Sequence, residues 1–327
     1  MERVKNYFAS ANTGDGFVCH FDSIQNKNKP YFQFLIKGGS GTGKSTLMKK
    51  VGKYFEARGE EVEYFYCSTD TNSLDGVRFV AKNVSIIDAT APHVFDARLP
   101  GVVDKIFDVG VYIKPTIKKH RESILENSQR KAECFQNAYD CLRAAKILDG
   151  INDIHARIEI DNSRINKTKN RILKNVPQKR QKEVQKARHL FLSAFSSEGL
   201  VNIAQKNAYE KIVKFECLKG EAHLILQDVT NEFENTEIKV FHDILNPQKI
   251  TALEIENTLI IPKIIEKSNK KIEKNNILIE KILNNAKNYF LEAKKYHKKI
   301  ENAYIKNMDF LGLDNATNKL IEEIEKM

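Results

Sequence analysis

The sequence has no long apolar run, and none of its segments approaches the length needed to span a bilayer. Its first residues, MERVKNYFASA, also lack the apolar core of a secretory signal. We therefore expect a cytoplasmic protein with no membrane partner.

Cysteine is scarce and scattered along the chain. There are five cysteines, an odd number, and no two of them form a C-x-x-C pair. This pattern argues against a disulfide framework and against a cysteine-ligated metal. It suits reduced thiols in a reducing compartment.

Acidic residues are outnumbered by basic ones, so the formal net charge is +10. A basic surface can bind nucleic-acid phosphates. Here the lysines are mixed with glutamates and asparagines along helical segments, as on solvated helix faces, and no nucleic-acid-binding module accompanies them. We expect nucleic acid to be a disfavoured partner and retain it as an alternative.

A phosphate-binding motif is present in residues 32–50, FQFLIKGGSGTGKSTLMKK. Residues 38–45 match the pattern G-x-x-x-x-G-K-[ST], between a predicted strand at 31–36 and a predicted helix at 45–56. The glycines allow a tight turn that points backbone N–H groups at a phosphate. The expected nucleotide-binding residues are Gly38, Gly39, Ser40, Gly41, Thr42, Gly43, Lys44, Ser45 and Thr46.

The motif also predicts how Mg-ATP is held. Lys44 is expected to reach the β- and γ-phosphates, and Ser45 to ligate Mg²⁺. Asp88 ends the apolar segment VSIID, where a P-loop protein places the carboxylate that holds Mg²⁺ through water. Ala89 follows where fast ATPases often carry glutamate, so we expect slow hydrolysis. The N-K-x-D tetrad of GTPases is absent from the sequence, which favours ATP.

The group that activates water has several candidates. Asp70 and Asp75 lie in STDTNSLDG, a predicted loop after the strand at 62–66, on the carboxyl edge where ligands bind. His93 follows the next predicted strand. Arg98 is either a finger to the γ-phosphate or an ordinary surface charge. The sequence leaves these alternatives open.

The chain contains an internal repeat. FASANTGDGFV at 8–18 matches FLSAFSSEGLV at 191–201, and three further matches follow in the same order. These pair IKG with LKG, residues 62–74 with 238–250, and residues 82–88 with 256–262. The repeat predicts two related copies of a nucleotide-binding fold. A looser hypothesis adds the first strand of each copy to the sheet of its neighbour.

The second copy is predicted to have lost its site. The aligned pairs are Lys44 with Leu226, Ser45 with Gln227, Gly43 with Ile225, Gly41 with His223 and Asp88 with Pro262. These replacements remove the charge and the tight turn together, while the apolar strands survive.

A long helical arm is predicted after each copy. In the second arm, apolar or small residues recur every seven positions, the spacing of a helical-hairpin or coiled-coil seam. These residues are Ile265, Ile272, Ile279, Ala286, Ala293 and Ile300. We expect the arms to pack on each other or on a protein partner, a homo-oligomer included. The predicted division is an active domain at 1–118, a helical arm and hinge at 119–187, a degenerate domain at 188–263 and a second arm at 264–327.

Four segments carry a resemblance to a known family. KGGSGTGKSTLMKK, YCSTDTNSLDGV, IIDATAPHVFDARLPG and YIKNMDFLGLD resemble an uncharacterised bacterial family of P-loop ATPases with two tandem copies. The resemblance covers nearly the whole chain and implies ATP binding and hydrolysis. Members of that family typically keep a P-loop in both copies, and this chain departs from that pattern in the second.

The sequence thus predicts an α/β fold with a P-loop NTPase parallel sheet flanked by helices, duplicated, with long helical arms after each copy. The favoured function is a slow Mg-dependent ATPase whose nucleotide state controls the arms or a partner. The alternatives are a small-molecule kinase, a nucleotide-gated scaffold without enzymatic activity and a nucleic-acid-stimulated ATPase.

Overall fold

The computed structural model describes residues 4–91, 94, 96–157, 160–177, 185–233, 235–265 and 269–327. These residues form two α/β units connected and flanked by two helical arms. We call residues 4–113 the first unit and residues 188–265 the second unit. No helix within the described ranges is both long and apolar enough to cross a membrane.

The first unit combines eight strands with one long helix. In chain order its elements are β1 (Val4–Phe8), β2 (Ser10–Thr13), β3 (Gly16–Cys19), β4 (Phe32–Lys37), α1 (Lys44–Glu56), β5 (Val62–Tyr66), β6 (Leu74–Phe79), β7 (Val84–Asp88) and β8 (Asp104–Asp108). Six strands form a sheet in the order β1-β5-β6-β7-β4-β8, and β2 pairs with β3 as a hairpin. Neighbours in the sheet run parallel except at β6, which is antiparallel to β5 and β7. The helix buries the face formed by Leu47, Met48, Val51 and Phe55 against this sheet because apolar residues three or four apart share one side of a helix.

The first arm, the second unit and the second arm follow along the chain. Their elements are α2 (Arg121–Arg157), α3 (Asn162–Leu173), β9 (Arg188–Leu190), β10 (Ser193–Ser196), β11 (Gly199–Asn202), β12 (Lys211–Leu218), α4 (Lys219–Asn231), β13 (Ile238–His242), β14 (Ile250–Ile255), β15 (Thr258–Ile265), α5 (Lys270–Ile305) and α6 (Phe310–Glu325). The second sheet has the order β12-β15-β14-β13-β9, and β14 is its antiparallel strand. This order and these directions match those of β4-β7-β6-β5-β1 in the first sheet. The first sheet has one additional strand, β8, beyond β4.

The predicted α/β architecture is confirmed in its general form, since sheets with parallel strands are flanked by helices. The strands predicted at 31–36, 62–66 and 84–88 correspond to β4, β5 and β7. The sequence does not predict β6 or β8, and each sheet is mixed rather than purely parallel. Strand β6 escapes prediction because LDGVRF contains two charged residues, although all six of its residues are buried.

The two units meet through an aromatic layer and a pair of backbone hydrogen bonds. Phe8 and Phe191 exchange N–H···O=C bonds of 2.9 Å in each direction. Tyr7 stacks on Phe241 with ring centroids 5.7 Å apart and lies 5.9 Å from the ring of Phe65. Otherwise β1 pairs with β5 and β9 pairs with β13. The hypothesis that each first strand joins the neighbouring sheet is therefore wrong, because each finds a buried parallel partner within its own unit.

A buried network of charged side chains also joins the units. Its members lie side by side on three adjacent strands of each sheet and are Lys5, Glu63 and Arg78 in the first unit and Arg188, Lys239 and Glu254 in the second. Glu63 lies 2.7 Å from Arg188 and 2.8 Å from Lys239, and Lys5 lies 2.7 Å from Glu254. Burial opposes ionisation of Glu63, but its three cationic neighbours hold its pKa well below the usual value. In each unit the edge strand, β1 or β9, carries a cation. The next two strands carry a glutamate and then an arginine in the first unit, but a lysine and then a glutamate in the second.

Three histidines stack at one end of the same interface. His20 belongs to the first unit, and His189 and His242 belong to the second. The Nδ1 of His189 lies 2.8 Å from the Nε2 of His242, and the ring centroid of His20 lies 5.3 Å from that of His242. Burial, together with the neighbouring imidazoles, lowers the pKa of His20 and of His242 to about 4. These rings are therefore neutral at pH 7.

Helices α2 and α5 pack on each other along their length, which confirms the predicted packing between the arms. Ala138 and Phe290 are buried in their contact, and the side chains of Asn152 and Asn276 are hydrogen-bonded at 2.9 Å. The buried seven-residue positions are Ile279, Ala286, Ala293 and Ile300. The assignment of Ile265 to the helical seam is wrong, because this residue ends strand β15 and is 45% exposed.

Each arm ends on the opposite unit. Helix α3 follows the first unit but packs on α4 of the second through Ile165 and Ile172. Helix α6 follows the second unit but packs on α1 of the first, where Leu320 and Ile324 enter the core. In the described residues, each arm therefore completes the core of the unit that it does not directly follow in sequence. The predicted domain boundaries remain predictions.

Candidate functional site

The glycine-rich loop 38–43 connects β4 to α1. Gly41 and Gly43 have φ angles of 74° and 90°, values that residues with a Cβ rarely adopt. The Thr42 hydroxyl donates to the Gly39 carbonyl at 2.8 Å, which closes the turn. Helix α1 begins at Lys44, so the positive end of its dipole faces the loop.

Lys44 is held inside this loop. Its Nζ donates to the carbonyls of Gly38 and Gly39 at 2.7 and 2.8 Å and lies 3.5 Å from the Asp88 carboxylate. Only about a tenth of its side chain is exposed (11%). The structure thus brings together the predicted lysine and the predicted strand-end aspartate.

Asp88 and Ser45 are fixed by backbone groups. Asp88 accepts a hydrogen bond from the Thr90 N–H at 2.9 Å, and the Thr90 hydroxyl accepts one from the Gly38 N–H at 3.2 Å. The Ser45 hydroxyl accepts a hydrogen bond from the Leu74 N–H at 2.9 Å. Both side chains offer oxygen, the ligand that Mg²⁺ prefers, and Mg²⁺ usually takes one or two protein ligands beside phosphate and water. Ser45 and Asp88 therefore fit the expected metal, and the described residues contain no cluster of three or more metal-binding side chains.

Asp75 lies at the start of β6, not in the predicted loop, and is only 4% exposed. Burial and the nearby Asp88 carboxylate raise its pKa to about 8, although a hydrogen bond from Cys67 and the charge of Lys44 act in the opposite direction. Asp75 is consequently a buried carboxyl group that is largely protonated at neutral pH. Its neighbours place it at the same site as Lys44 and Asp88.

The other candidates for water activation differ in their surroundings. Asp70 accepts a hydrogen bond from Ser73 at 2.7 Å and lies 3.8 Å from Lys294 of α5. The exposed guanidinium of Arg98 lies 3.5 Å from Asp22, in contact with another surface charge. His93 lies outside the described residues. Among the described candidates, Asp75 is thus the one whose carboxyl group interacts with both Lys44 and Asp88.

The second arm, which consists of α5 and α6, covers the glycine-rich loop, and this contact is not predicted from the sequence. A Cβ atom on Gly39 would lie 2.8 Å from the Tyr304 ring, and one on Gly41 would lie 2.7 Å from the Glu301 carbonyl oxygen. A Cβ atom on Gly43 would lie 2.9 Å from the side chain of Leu313. The glycines are thus needed for close approach as well as for backbone conformation. The segment YIKNMDFLGLD, which carries part of the family resemblance, is the sequence signal for this contact.

Among the described residues of the second unit there is no corresponding loop. Strand β12 ends at Leu218 and α4 begins at the next residue, Lys219. The alignment of Leu226 and Ile225 with the loop residues is therefore wrong, because both lie inside α4 and are completely buried in its core. The pairing of IKG with LKG set that alignment and is wrong as well, because Gly38 lies in the loop after β4 whereas Gly220 lies in the first turn of α4.

Carboxylates of the first arm occupy this end of the second unit. Lys219 lies 2.6 Å from Asp149 of α2, and Lys249 lies 3.0 Å from the same residue. Lys249 also pairs with Asp153. Lys219 at the start of α4 and Lys249 immediately before β14 thus bind acidic side chains of the first arm.

Residues 12–95 match the family model described as nephrocystin 3, N-terminal. This segment is about a quarter of the chain and contains the glycine-rich loop, Asp75 and Asp88. Neither the curated proteins nor the solved structures compared with the chain gave a significant match. The similarity lies in the part of the first unit that holds the candidate site.

Proposed function

We propose that the chain is a P-loop nucleotide-binding protein and a slow Mg²⁺-dependent ATPase whose nucleotide state is transmitted to its helical arms. The observation that carries this proposal is the geometry around Lys44, whose ammonium lies between the glycine-rich loop and Asp88 at the start of α1. A lysine, a strand-end carboxylate and a helix N-terminus at one place are the groups that bind a nucleoside triphosphate.

The residues would divide the chemistry as follows. The N–H groups of the loop and of the first turn of α1 bind phosphate oxygens, and Lys44 neutralises charge on the β- and γ-phosphates. Mg²⁺, held by Ser45 and through water by Asp88, would stabilise the charge that develops during phosphoryl transfer. Asp75 is the best-placed carboxyl group to accept a proton from water, since Asp70 is engaged by Ser73 and Lys294.

Slow turnover is consistent with two properties of this site. Ala89 follows Asp88, where it offers no group to orient water. Asp75, with a pKa of about 8, is in its basic form in only a minority of molecules at pH 7.

The contacts of α5 support a link between nucleotide and arms. Tyr304 and Glu301 rest directly on Gly39 and Gly41, so a phosphate that shifts the loop must also shift the end of the helix. The same helix buries Phe290 against α2 and against Phe195 of the second unit. A displacement at the loop would therefore reach both arms through one rigid helix.

Several observations support our proposal that the two units arose by duplication. Their sheets share one strand order, and their turns share unusual backbone angles, with φ values of 92° at Gly16 and 88° at Gly199. Asn83 and Asn257, which the repeat aligns, also have positive φ values, 51° and 65°. In this proposal the second unit has exchanged phosphate binding for the binding of Asp149 and other acidic side chains of the arm. The bacterial tandem P-loop ATPases remain the family that the proposal favours.

A nucleotide-gated scaffold is the second candidate. The covered loop and the protonated state of Asp75 both favour a protein that holds ATP and scarcely cleaves it. A kinase or a nucleic-acid-stimulated ATPase would differ by faster turnover when an acceptor or nucleic acid is added.

The test is phosphate release from Mg-ATP together with binding of a fluorescent ATP analogue. Wild type should bind the analogue and release phosphate slowly, and Lys44→Ala should do neither. Lys53→Ala is the matched control, since this lysine is 70% exposed on the same helix, and it should behave as wild type. Equal binding by wild type and Lys44→Ala would disprove the nucleotide site, whereas binding without release would favour the scaffold.

A further inference from the structure

On the side of β12, the second sheet ends one strand earlier than the first sheet does on the side of β4. In the first sheet, β8 pairs in parallel with β4 over residues 33–37. In the second sheet, β12 is the last strand, and its one strand partner among the described residues is β15. Strand β12 therefore presents backbone N–H and C=O groups of an eight-residue strand along its outer side.

A cavity marks the place of the missing strand. Strand β8 lies beside α6, where Lys105 forms a 2.8 Å ion pair with Glu323. In the second unit the corresponding helix is α3, and a cavity of about 480 Å³ lies between it and β12. Its lining includes Arg171 of α3, Asn175 just after that helix, and residues 212–216 of β12. The space occupied by a strand in one unit is thus an accessible groove in the other.

The charge of this groove selects its occupant. Arg171, Lys214 and Lys263 line it and are exposed. Glu216 is its one acidic lining residue, and Lys263 lowers the pKa of that carboxyl by a hydrogen bond and by its charge. The groove therefore has an excess of positive charge. Strand β8, which fills the equivalent place, has the sequence DKIFD with an acid at each end.

We propose that the β12 edge binds an extended, acidic segment of a partner protein, which adds to the second sheet as a parallel strand. Backbone hydrogen bonds to β12 supply the affinity that any extended chain can gain. Carboxylates placed beside Arg171 and Lys214 supply selection for an acidic sequence and speed association. The proposal does not depend on nucleotide binding in the first unit.

The test uses a synthetic peptide with the sequence of residues 102–110, VVDKIFDVG, carrying a fluorescent label, and the full-length protein. Fluorescence anisotropy should show saturable binding. A peptide with both aspartates changed to asparagine should bind about tenfold more weakly, since it loses its ion pairs. A peptide with alternate N-methylated residues should not bind, because it cannot form the ladder of backbone hydrogen bonds.

Variants of the protein test whether the peptide binds to the second unit. Lys214→Glu should weaken binding about tenfold, and Lys281→Glu on the exposed side of α5 should not. Equal binding by the methylated and unmethylated peptides, or by Lys214→Glu and wild type, would overturn the proposal. Concentration-dependent self-association of wild type that Lys214→Glu abolishes would also overturn it, because the occupant would then be a second copy of the chain.

Discussion

At the scale of single residues, the surroundings of the candidate site give several groups an unusual protonation state, hydrogen-bond partner or backbone angle. Asp75 is a carboxyl group that burial keeps protonated, and Lys44 donates to carbonyls of its own loop. Gly41 adopts an unusual backbone angle where a helix end presses on it. Each of these features can be tested by a single substitution with a matched control.

Asp75→Asn should lower ATP turnover by roughly 10²–10⁴-fold if Asp75 accepts the proton, with the affinity for ATP unchanged. Phosphate release and nucleotide titration measure the two quantities. The melting temperature should change little at neutral pH, because a neutral amide replaces a buried carboxyl group that is largely protonated. Asp70→Asn is the control, and a larger loss of turnover in that variant would transfer the role to Asp70.

Gly41→Ala should destabilise the protein by roughly 1–3 kcal/mol, from backbone strain and from the clash of its new methyl group with Glu301. Denaturant unfolding measures the change. Gly101→Ala is the control, since Gly101 has a similar φ of 80° but nothing within 4 Å of the added atom. Equal losses in the two variants would show that strain alone matters and that the helix contact contributes nothing.

At the scale of secondary-structure elements, the crossing of the arms determines how each core is completed. Helix α6 follows the second unit in the chain but supplies Leu320, Ile321 and Ile324 to the core of the first unit. Helix α3 similarly supplies Ile165 and Ile172 to the second. A unit separated from the opposite arm would expose the apolar face of its helix α1 or α4.

Leu320→Ala should lower the free energy of unfolding by about 2–4 kcal/mol, because the residue is 2% exposed and its loss leaves a cavity beside α1. Leu311→Ala, on the same helix but 74% exposed, should change it by less than about 0.5 kcal/mol. Chemical unfolding followed by circular dichroism gives both values. Similar effects of the two substitutions would contradict the docking of α6 in the core.

The sequence predicts the elements whose pattern is local. The glycine-rich loop, α1, β4, β5 and β7 follow from motif and apolar runs within a few residues of one another. Strand β6 cannot be recognised in this way, because the burial of Arg78 depends on Glu63, a neighbour on another strand. Strand β8 is short and has an acid at each end, so its sequence resembles a loop.

The candidate site is likewise predictable only in part. Lys44, Ser45 and Asp88 are identified by spacing, whereas Tyr304 and Glu301 reach the loop from a helix more than half the chain away. The absence of the loop in the second unit is not predicted, because the short match of IKG to LKG aligns the loop with residues that lie inside α4. Contacts between residues far apart in the sequence, such as those of Tyr304 and Glu301 with the loop, leave no periodic signal in a single sequence.

At the scale of the whole molecule, the interface between the units combines ionised and neutral titratable groups. Glu63 and Glu254 stay ionised because cationic side chains pair with them, whereas burial keeps His20 and His242 neutral. Stability should therefore depend on pH through the histidines over a range in which the carboxylates of the network remain ionised.

Stability should decrease as the pH falls from about 6.5 to about 4. Because the folded pKa of His20 and His242 lies below the unfolded value, the unfolded chain binds more protons in this range, and above it the two states do not differ. The contribution is roughly 2–4 kcal/mol in total after allowance for partial solvent screening. The variant His20→Gln/His242→Gln should show a flatter pH profile in urea unfolding than wild type. His120→Gln, an exposed control, should not, and parallel profiles for all three proteins would refute the assignment.

The exchange of arms also has a consequence for synthesis on the ribosome. The first unit emerges before the helix that completes its core and before the residues that cover its glycine-rich loop, because these lie far downstream in the chain. During translation the nascent chain therefore carries an uncovered loop and an exposed α1 face, surfaces that favour chaperone binding or aggregation. A chain terminated shortly before residue 301 would keep the glycine-rich loop and lose the residues that cover it, so premature termination would leave this loop permanently exposed.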